Sequence, residues 1–186
     1  DELVCIHDWQ DHFRGAFGDQ AEGAVSLEEF EYLVAEKSRY QQCTLASLIG
    51  WLRDNPQKRV VTDIKERNLE GLAMIADKFP ELQGRFIPQV YQPAEYFSAR
   101  RLGYEDVIWT LYRYPHDDDN VLAMLDVMDL YGLTMTRRHA ERGLAVRVKQ
   151  RRGLLSWVHT INVEEELRTF RRLGIESIYT DWLPEG

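Results

Sequence analysis

Residues 59–91 read RVVTDIKERNLEGLAMIADKFPELQGRFIPQVY, and they contain a strand pattern, a helix pattern and a second strand pattern in succession. The two strand patterns, Arg59–Ile64 and Phe86–Tyr91, are rich in the β-branched and aromatic residues that strands favour. Between them, apolar residues recur at helical spacing after Asn68, which we expect to cap a helix. Two strands connected through a helix form a parallel βαβ unit.

The same alternation continues in both directions along the chain. Further runs of strand character are Leu3–Ile6, Val107–Tyr112, Leu133–Thr136, Leu154–Ile161 and Glu176–Thr180. Helix starts are indicated by Ser26 with Glu29, by Thr44 and by Asn162. Strands and helices that alternate through short loops predict a parallel sheet covered by helices, in a single domain over residues 1–186.

An open doubly wound sheet and a (β/α)8 TIM barrel both satisfy this alternation. The open sheet usually has a glycine-rich phosphate loop after its first strand, and the sequence has neither G-x-G-x-x-G nor a Walker-type loop. We therefore predict an α/β protein with a TIM barrel. Because such barrels rarely have fewer than about 200 residues, a chain of 186 residues is expected to lack the N-terminal strand or strands of its barrel.

Composition excludes several classes of protein. With 44% apolar and 29% charged residues, the chain has the composition of a globular protein. Its net charge of −8 argues against nucleic-acid binding, and no apolar run approaches the roughly 20 residues that a transmembrane helix needs. Cys5 and Cys43 lie in apolar-rich segments and are expected to be buried free thiols, with a single disulfide between them as the alternative.

Polar residues at the carboxyl ends of the predicted strands are the candidates for chemistry, because the active sites of parallel barrels lie at that edge. The candidates are His7, Asp63, Lys65, Gln89, Tyr91, Arg113, Arg137, His159, Asn162 and Asp181. His12, His116 and His139 lie at loop or helix-start positions and are expected in solvent.

Asp63 and Lys65 are two positions apart on one predicted strand, so their side chains share a face. The carboxylate suits a hard cation and the ammonium suits a phosphate, whereas a structural ion pair is the alternative interpretation. His7 directly follows an apolar run and suits acid–base catalysis near neutral pH, with a structural role as the alternative. Its neighbour Asp8 would point to the opposite face of that strand.

Lys65, Arg113 and Arg137 would place positive charge at the mouth of an otherwise acidic protein. This arrangement favours an anionic substrate, most simply a phosphate ester. For Arg113 and Arg137, neutralisation of Asp117–Asp119 or of Glu141 is the alternative, and it is favoured for Arg137.

Several short motifs resemble, in the same order, those of the glycerophosphodiester phosphodiesterase family, which shares a barrel with phosphatidylinositol-specific phospholipases C. The matching segments cover essentially the whole chain. They are residues 3–8, similar to a hydrophobic strand ending in His-Asp; 43–48, similar to Pro-Thr-Leu-x-x-Leu with Cys in place of Pro; 60–65, similar to Ile-Glu-Ile-Lys; 86–91, similar to Gln-Ser-Phe; 158–162, similar to Trp-Thr-Val-Asn; and 178–181, similar to Ile-Ile-Thr-Asp.

The resemblance implies hydrolysis of a glycerophosphodiester to an alcohol and glycerol phosphate, in lipid metabolism, with Ca or Mg as the divalent metal and two histidines as acid and base. His7 matches the second histidine, Asp63 a metal-binding carboxylate, and Lys65 the basic residue that would face the phosphate. Asp63 stands where the family has Glu, and His159 stands where a Trp usually lines the pocket, which suggests an additional polar contact to substrate.

The family's first histidine and its Glu-x-Asp metal pair would lie upstream of His7, so this chain alone is expected to be inactive. Two alternatives stay open: a non-catalytic barrel that binds an anionic phosphate ligand, and a phospholipase-C-like enzyme that releases a cyclic phosphate. The expected partner is a small-molecule phosphodiester, together with a homo-oligomer contact or a missing N-terminal segment. Cytoplasm and periplasm are both open as the compartment.

Overall fold

The computed structural model of the chain describes residues 2–17, 23–37 and 43–184. They form two compact units, Asp1–Lys58 and Arg59–Gly186. The single domain expected over residues 1–186 stays a prediction. No helix in the described ranges combines the length and apolar character needed to cross a membrane.

The first unit contains the helices α1 (Asp11–Phe17), α2 (Leu27–Lys37) and α3 (Leu45–Asp54). Phe13, Phe17, Phe30 and Leu33 form its apolar cluster, because aromatic and aliphatic side chains at helical spacing on α1 and α2 face each other. Helix α3 begins as expected after Thr44, whose hydroxyl accepts a hydrogen bond from the Ser47 backbone.

The strand predicted at Leu3–Ile6 is wrong. Its one described pairing is an isolated antiparallel bridge between Val4 and Thr44, and Val4 and Ile6 pack against the apolar cluster of the first unit. A four-residue apolar run has no feature that separates a sheet strand from an extended segment packed on helices.

The two cysteines are joined in a disulfide, so the expectation of free thiols is also wrong. The Val4–Thr44 bridge runs beside the disulfide, and the Cys5 N–H donates a 2.7 Å hydrogen bond to the Cys43 carbonyl. The two Cα atoms are therefore only 5.1 Å apart, within the range that a disulfide spans.

The second unit contains a six-stranded parallel sheet in which each strand pairs with the next strand along the chain. Its strands are β1 (Val60–Thr62), β2 (Phe86–Val90), β3 (Ile108–Thr110), β4 (Gly132–Met135), β5 (Leu155–Val158) and β6 (Ser177–Ile178). The order β1-β2-β3-β4-β5-β6 never reverses, whereas a doubly wound sheet reverses at a switch point. This order agrees with the predicted barrel and not with a doubly wound sheet.

Helices follow the strands of this unit in sequence. They are α4 (Asn68–Lys78), α5 (Pro93–Arg101), α6 (Asp118–Met124), α7 (Arg137–Glu141), α8 (Leu144–Arg152) and α9 (Glu164–Arg172), with short 3-10 helices at Pro80–Arg85 and Leu111–Arg113. The predicted caps Asn68 and Asn162 are each displaced by one residue, because Arg67 and Val163 occupy the N-cap positions. The Asn68 amide instead donates to the Gln89 carbonyl on β2.

Side-chain contacts show that the sheet is curved. The Tyr179 hydroxyl, just after β6, donates a 3.0 Å hydrogen bond to Oε1 of Gln89 on β2. It accepts a 3.1 Å hydrogen bond from the Thr134 hydroxyl on β4. In a flat sheet β2 and β6 would lie roughly 19 Å apart, four strand spacings, which two side chains cannot bridge. The strands therefore curl around these groups as in half of a barrel.

A glycine on β4 accommodates the largest side chain of β5. The ring of Trp157 lies over Gly132, and a Cβ atom added there would be 1.6 Å from the indole. The indole also stacks on Tyr131 with 6.0 Å between the ring centroids. Gly132 is required here for close approach of a ring to the backbone.

Candidate functional site

The carboxyl ends of β1 and β2 bring together four of the predicted site residues. Asp63 follows β1, and its Oδ1 accepts hydrogen bonds from the Gln89 amide at 3.1 Å and from the Tyr91 hydroxyl. Lys65 Nζ lies 3.7 Å from Asp63 Oδ2, in a partly exposed ion pair. The expectation that Asp63 and Lys65 share a face of one strand is wrong, because β1 ends at Thr62; the two charges meet in the segment that follows the strand.

Arg113 joins the same group from the end of β3. Its guanidinium lies over the Tyr91 ring, 4.6 Å from the centroid, and donates a 3.2 Å hydrogen bond to the Lys65 carbonyl. These contacts fix the guanidinium while its outer face stays exposed. Two cations, Lys65 and Arg113, therefore stand beside a single carboxylate.

A chain of hydrogen bonds continues from Asp63 into the sheet. It passes through Gln89 to Tyr179 and ends at Thr134. Burial and the nearby Asp63 charge raise the pKa of both Tyr91 and Tyr179, so both phenols stay protonated across the ordinary pH range. The Tyr91 phenol thus serves as a permanent hydrogen-bond donor to the Asp63 carboxylate.

Sequence reasoning did not select Tyr179 and Thr134 as site residues. Thr134 lies within a predicted strand and Tyr179 lies within a segment that matches a family motif. The signal that could have identified them is the strand period of two, which places alternate residues of β4 and of the last strand on the inner face.

His159 lies at the end of β5, and its Nε2 atom is buried without a hydrogen-bond partner among the described residues. Burial lowers its pKa, while the negative charge of Asp63 acts in the opposite direction. The ring contacts Tyr112, with 5.8 Å between centroids. His159 is therefore a neutral imidazole at neutral pH, within electrostatic reach of Asp63.

Asn162 and Asp181 form a separate cluster. The Asn162 amide donates to Asp181 Oδ2 at 2.8 Å, and its carbonyl accepts from the Asp181 backbone at 2.9 Å. The Thr180 hydroxyl also donates to this carbonyl. These bonds connect the loops after β5 and β6, and a role for either side chain in lining a pocket stays a prediction.

Arg137 does not contribute free positive charge. Its guanidinium makes a two-pronged ion pair with Glu166 at 2.5 and 3.0 Å, and it donates to the Thr160 carbonyl. Arg137 is thus neutralised by an acidic side chain, but the carboxylate that it binds is that of Glu166 and not one of the expected Asp117–Asp119 or Glu141.

His7 belongs to the first unit and is exposed. Its Nδ1 lies 2.7 Å from Asp8 Oδ2, so the expectation that these neighbours diverge is wrong, since no strand forms at this position. His12, expected in solvent, approaches the same Asp8 oxygen from α1. Hydrogen bonds from His7 and from the His12 backbone hold the pKa of the Asp8 carboxyl well below its usual range.

His139 is the other histidine whose environment differs from the expectation. It is largely buried, with Nδ1 2.7 Å from Asp118 Oδ1, and Arg142 binds the same oxygen. This contact ties α7 to α6 and has the character of a structural ion pair.

Known proteins share this fold. No protein-family model and no curated protein matches the sequence. The structure is similar to a glycerophosphodiester phosphodiesterase from Parabacteroides distasonis, with a TM-score of 0.68 and 16% identity over 97% of this chain and 74% of that one. It is also similar to a protein described as a glycerophosphoryl diester phosphodiesterase from Silicibacter pomeroyi, with a TM-score of 0.58 and 13% identity, covering 76% of this chain and 54% of that one.

Proposed function

We propose that this chain carries the barrel part of a phosphodiester hydrolase that cleaves glycerophosphodiesters into an alcohol and glycerol phosphate. The observation that supports this most directly is the placement of Asp63, Lys65 and Arg113 at the carboxyl ends of β1 and β3. This is the edge at which TIM barrels carry their active sites. The shared fold with two proteins described as such diesterases adds to it.

Lys65 and Arg113 are suited to hold the phosphate. A phosphodiester carries one negative charge, which a lysine attracts as a point charge and an arginine binds with paired N–H donors. The Tyr91 ring and the Lys65 carbonyl preset the direction of the Arg113 guanidinium, so little conformational freedom is lost on binding.

Asp63 is the proposed ligand of a divalent metal, Ca or Mg. Its Oδ1 already accepts two hydrogen bonds, so Oδ2, which lies 3.7 Å from Lys65 Nζ, is the oxygen that would face an ion. A carboxylate oxygen suits either ion, because Mg and Ca both take oxygen ligands and complete their shells with water and phosphate oxygens. A bound ion would supply charge neutralisation at the phosphoryl oxygens.

His7 is the proposed acid–base residue. If its Nδ1 donates to Asp8, the Nε2 atom carries the lone pair and can accept a proton. A carboxylate that orients an imidazole in this way is a recurring arrangement in hydrolases.

The test is hydrolysis of glycerophosphocholine and of bis-p-nitrophenyl phosphate by the protein encoded by the whole open reading frame, with Ca, with Mg and with EDTA. We expect metal-dependent turnover that falls about 100-fold or more in His7→Ala. Asp63→Asn is expected to lose the metal dependence. Asp77→Asn and His116→Ala, which change an exposed Asp and an exposed His elsewhere, serve as matched controls.

Two outcomes would replace the proposal. A folded protein that is inert with each metal and yet binds glycerol phosphate would be the non-catalytic barrel. Release of a cyclic phosphate, detected by phosphorus NMR, would indicate the phospholipase-C-like reaction. Turnover that survives in both His7→Ala and Asp63→Asn would contradict the assigned roles.

A further inference from the structure

We infer that His7, Asp8 and His12 form a binding site for a divalent transition-metal ion such as Zn²⁺. One ligand atom from each of the three side chains lies within 4.8 Å of the other two. Two imidazoles with one carboxylate is a ligand set of catalytic zinc sites, in which the fourth position is open to water. This inference does not rest on the proposed hydrolase function: His7 acts either as the proposed acid–base residue, with Nδ1 bonded to Asp8, or as a ligand of the bound metal ion.

The three side chains converge on one oxygen. Asp8 Oδ2 lies 2.7 Å from His7 Nδ1 and 2.5 Å from His12 Nδ1. Tetrahedral zinc ligands at about 2.0 to 2.1 Å from the metal are roughly 3.3 Å apart, so the rings need to separate by roughly half an ångström or a little more. Both rings are about three-fifths exposed and contact each other with 4.0 Å between their centroids, so much of their surroundings is solvent into which they can move.

The backbone around the three ligands is held in place independently of them. The Cys5–Cys43 disulfide fixes the segment just before His7. The other carboxylate oxygen of Asp8 accepts the His12 backbone N–H at 3.0 Å, which sets the direction of Oδ2. On α1, Phe13 packs in the apolar cluster of the first unit. A preset arrangement reduces the ordering cost of metal binding.

The ligand types select the class of metal. Imidazole nitrogen suits Zn²⁺ and its neighbours in the first transition row, whereas Ca²⁺ and Mg²⁺ prefer oxygen ligands. The two cysteines of the sequence are both in the disulfide, so no thiolate competes for a soft ion. The site is therefore chemically distinct from the carboxylate proposed to bind Ca or Mg at Asp63.

The test uses the complete chain, purified without a histidine tag, stripped of metal and kept oxidised. Zn²⁺ affinity is measured by competition with a chromophoric chelator, and Co²⁺ is added as a spectroscopic probe. We expect one Zn²⁺ per chain, an intense visible Co²⁺ band typical of four-coordination, and no displacement by Ca²⁺ in large excess.

Three variants locate the site. His12→Ala should weaken Zn²⁺ binding by more than roughly tenfold. Loss of a residue that only holds a ligand in place already weakens metal binding by about tenfold or more, and His12 is proposed to bind the ion directly. Asp8→Asn should do the same, while its amide oxygen can still accept the His12 backbone N–H. His116→Ala, an exposed histidine elsewhere, should leave the affinity unchanged.

Circular dichroism of each variant confirms that the fold is retained. The inference is overturned if the unsubstituted chain binds Zn²⁺ no more tightly than His12→Ala does. It is equally overturned if His116→Ala causes the same loss, because binding would then lie elsewhere.

Discussion

Replacing Gln89 tests the polar network that crosses the interior of the sheet. Its side chain is 5% exposed, donates to the Asp63 carboxylate and accepts from the Tyr179 hydroxyl. Gln89→Met keeps an unbranched side chain but removes both bonds. Loss of a hydrogen bond to a charged group costs about 1.5 to 3 kcal/mol, and an unpaired buried hydroxyl costs about 1 to 3 kcal/mol. The free energy of unfolding should therefore fall by about 3 to 5 kcal/mol.

Tyr179→Phe separates the two contributions. It removes the bond to Gln89 and the acceptor of the Thr134 hydroxyl, and we expect a loss of about 1 to 3 kcal/mol. The double variant replaces both partners by apolar groups, so the two losses should not add. We expect a coupling energy of about 1 kcal/mol or more, as for residues in direct contact.

Urea unfolding followed by tryptophan fluorescence measures all four proteins. Unchanged slopes with shifted midpoints would show that stability alone has changed. If the two losses add to within about 0.5 kcal/mol, Gln89 and Tyr179 do not interact. The curvature inferred from their contact would then have to be abandoned.

Three further changes test other parts of the structure. Gly132→Ala should lower the free energy of unfolding by about 1 to 3 kcal/mol, because the added Cβ would meet the indole of Trp157. An unchanged urea midpoint would contradict the packing of Trp157 on Gly132. Removing the disulfide with Cys5→Ser and Cys43→Ser should lower the free energy of unfolding by up to about 4 kcal/mol, because the unfolded chain gains the entropy of an open loop of 38 residues. Equal stability of the oxidised and the reduced protein would contradict this expectation. In metal-free buffer, NMR should find the pKa of His159 below the ordinary 6.5. The unfolded chain then takes up the proton first, so the free energy of unfolding falls as the pH drops below about 6.5, and His159→Phe should reduce that fall. A pKa at or above 6.5 would refute the argument from burial.

The strands of the second unit could be predicted because buried parallel strands have continuous apolar runs between helices. Phe86–Val90 is buried at every position and is read directly from the sequence. The absence of a phosphate loop favours a barrel over a doubly wound sheet, and the consecutive order of the six described strands agrees with that prediction. Leu3–Ile6 misled the prediction because burial against helices produces the same short apolar run.

The site was predictable where close spacing along the chain decides which residues meet. Asp63 and Lys65, two positions apart just after β1, do lie side by side, although the predicted strand ends before them at Thr62. The contact of Arg113 with Lys65 could be expected from the common edge of parallel strands. The pairing of His7 with His12 through Asp8 could not be predicted, because it depends on the chain leaving an extended conformation at residue 8.

The consecutive order of the strands also bears on how the sheet forms. Each ladder joins segments separated by a single connection, as in the pairing of Val60 with Phe86, so the sheet can grow one strand at a time. The bond between Gln89 and Tyr179 joins residues 90 positions apart, and it can form only when the sixth strand has docked. Contacts made after the transition state slow unfolding and leave the folding rate nearly unchanged. If the interior network forms after the transition state, we expect its loss to speed unfolding and to leave the folding rate nearly unchanged.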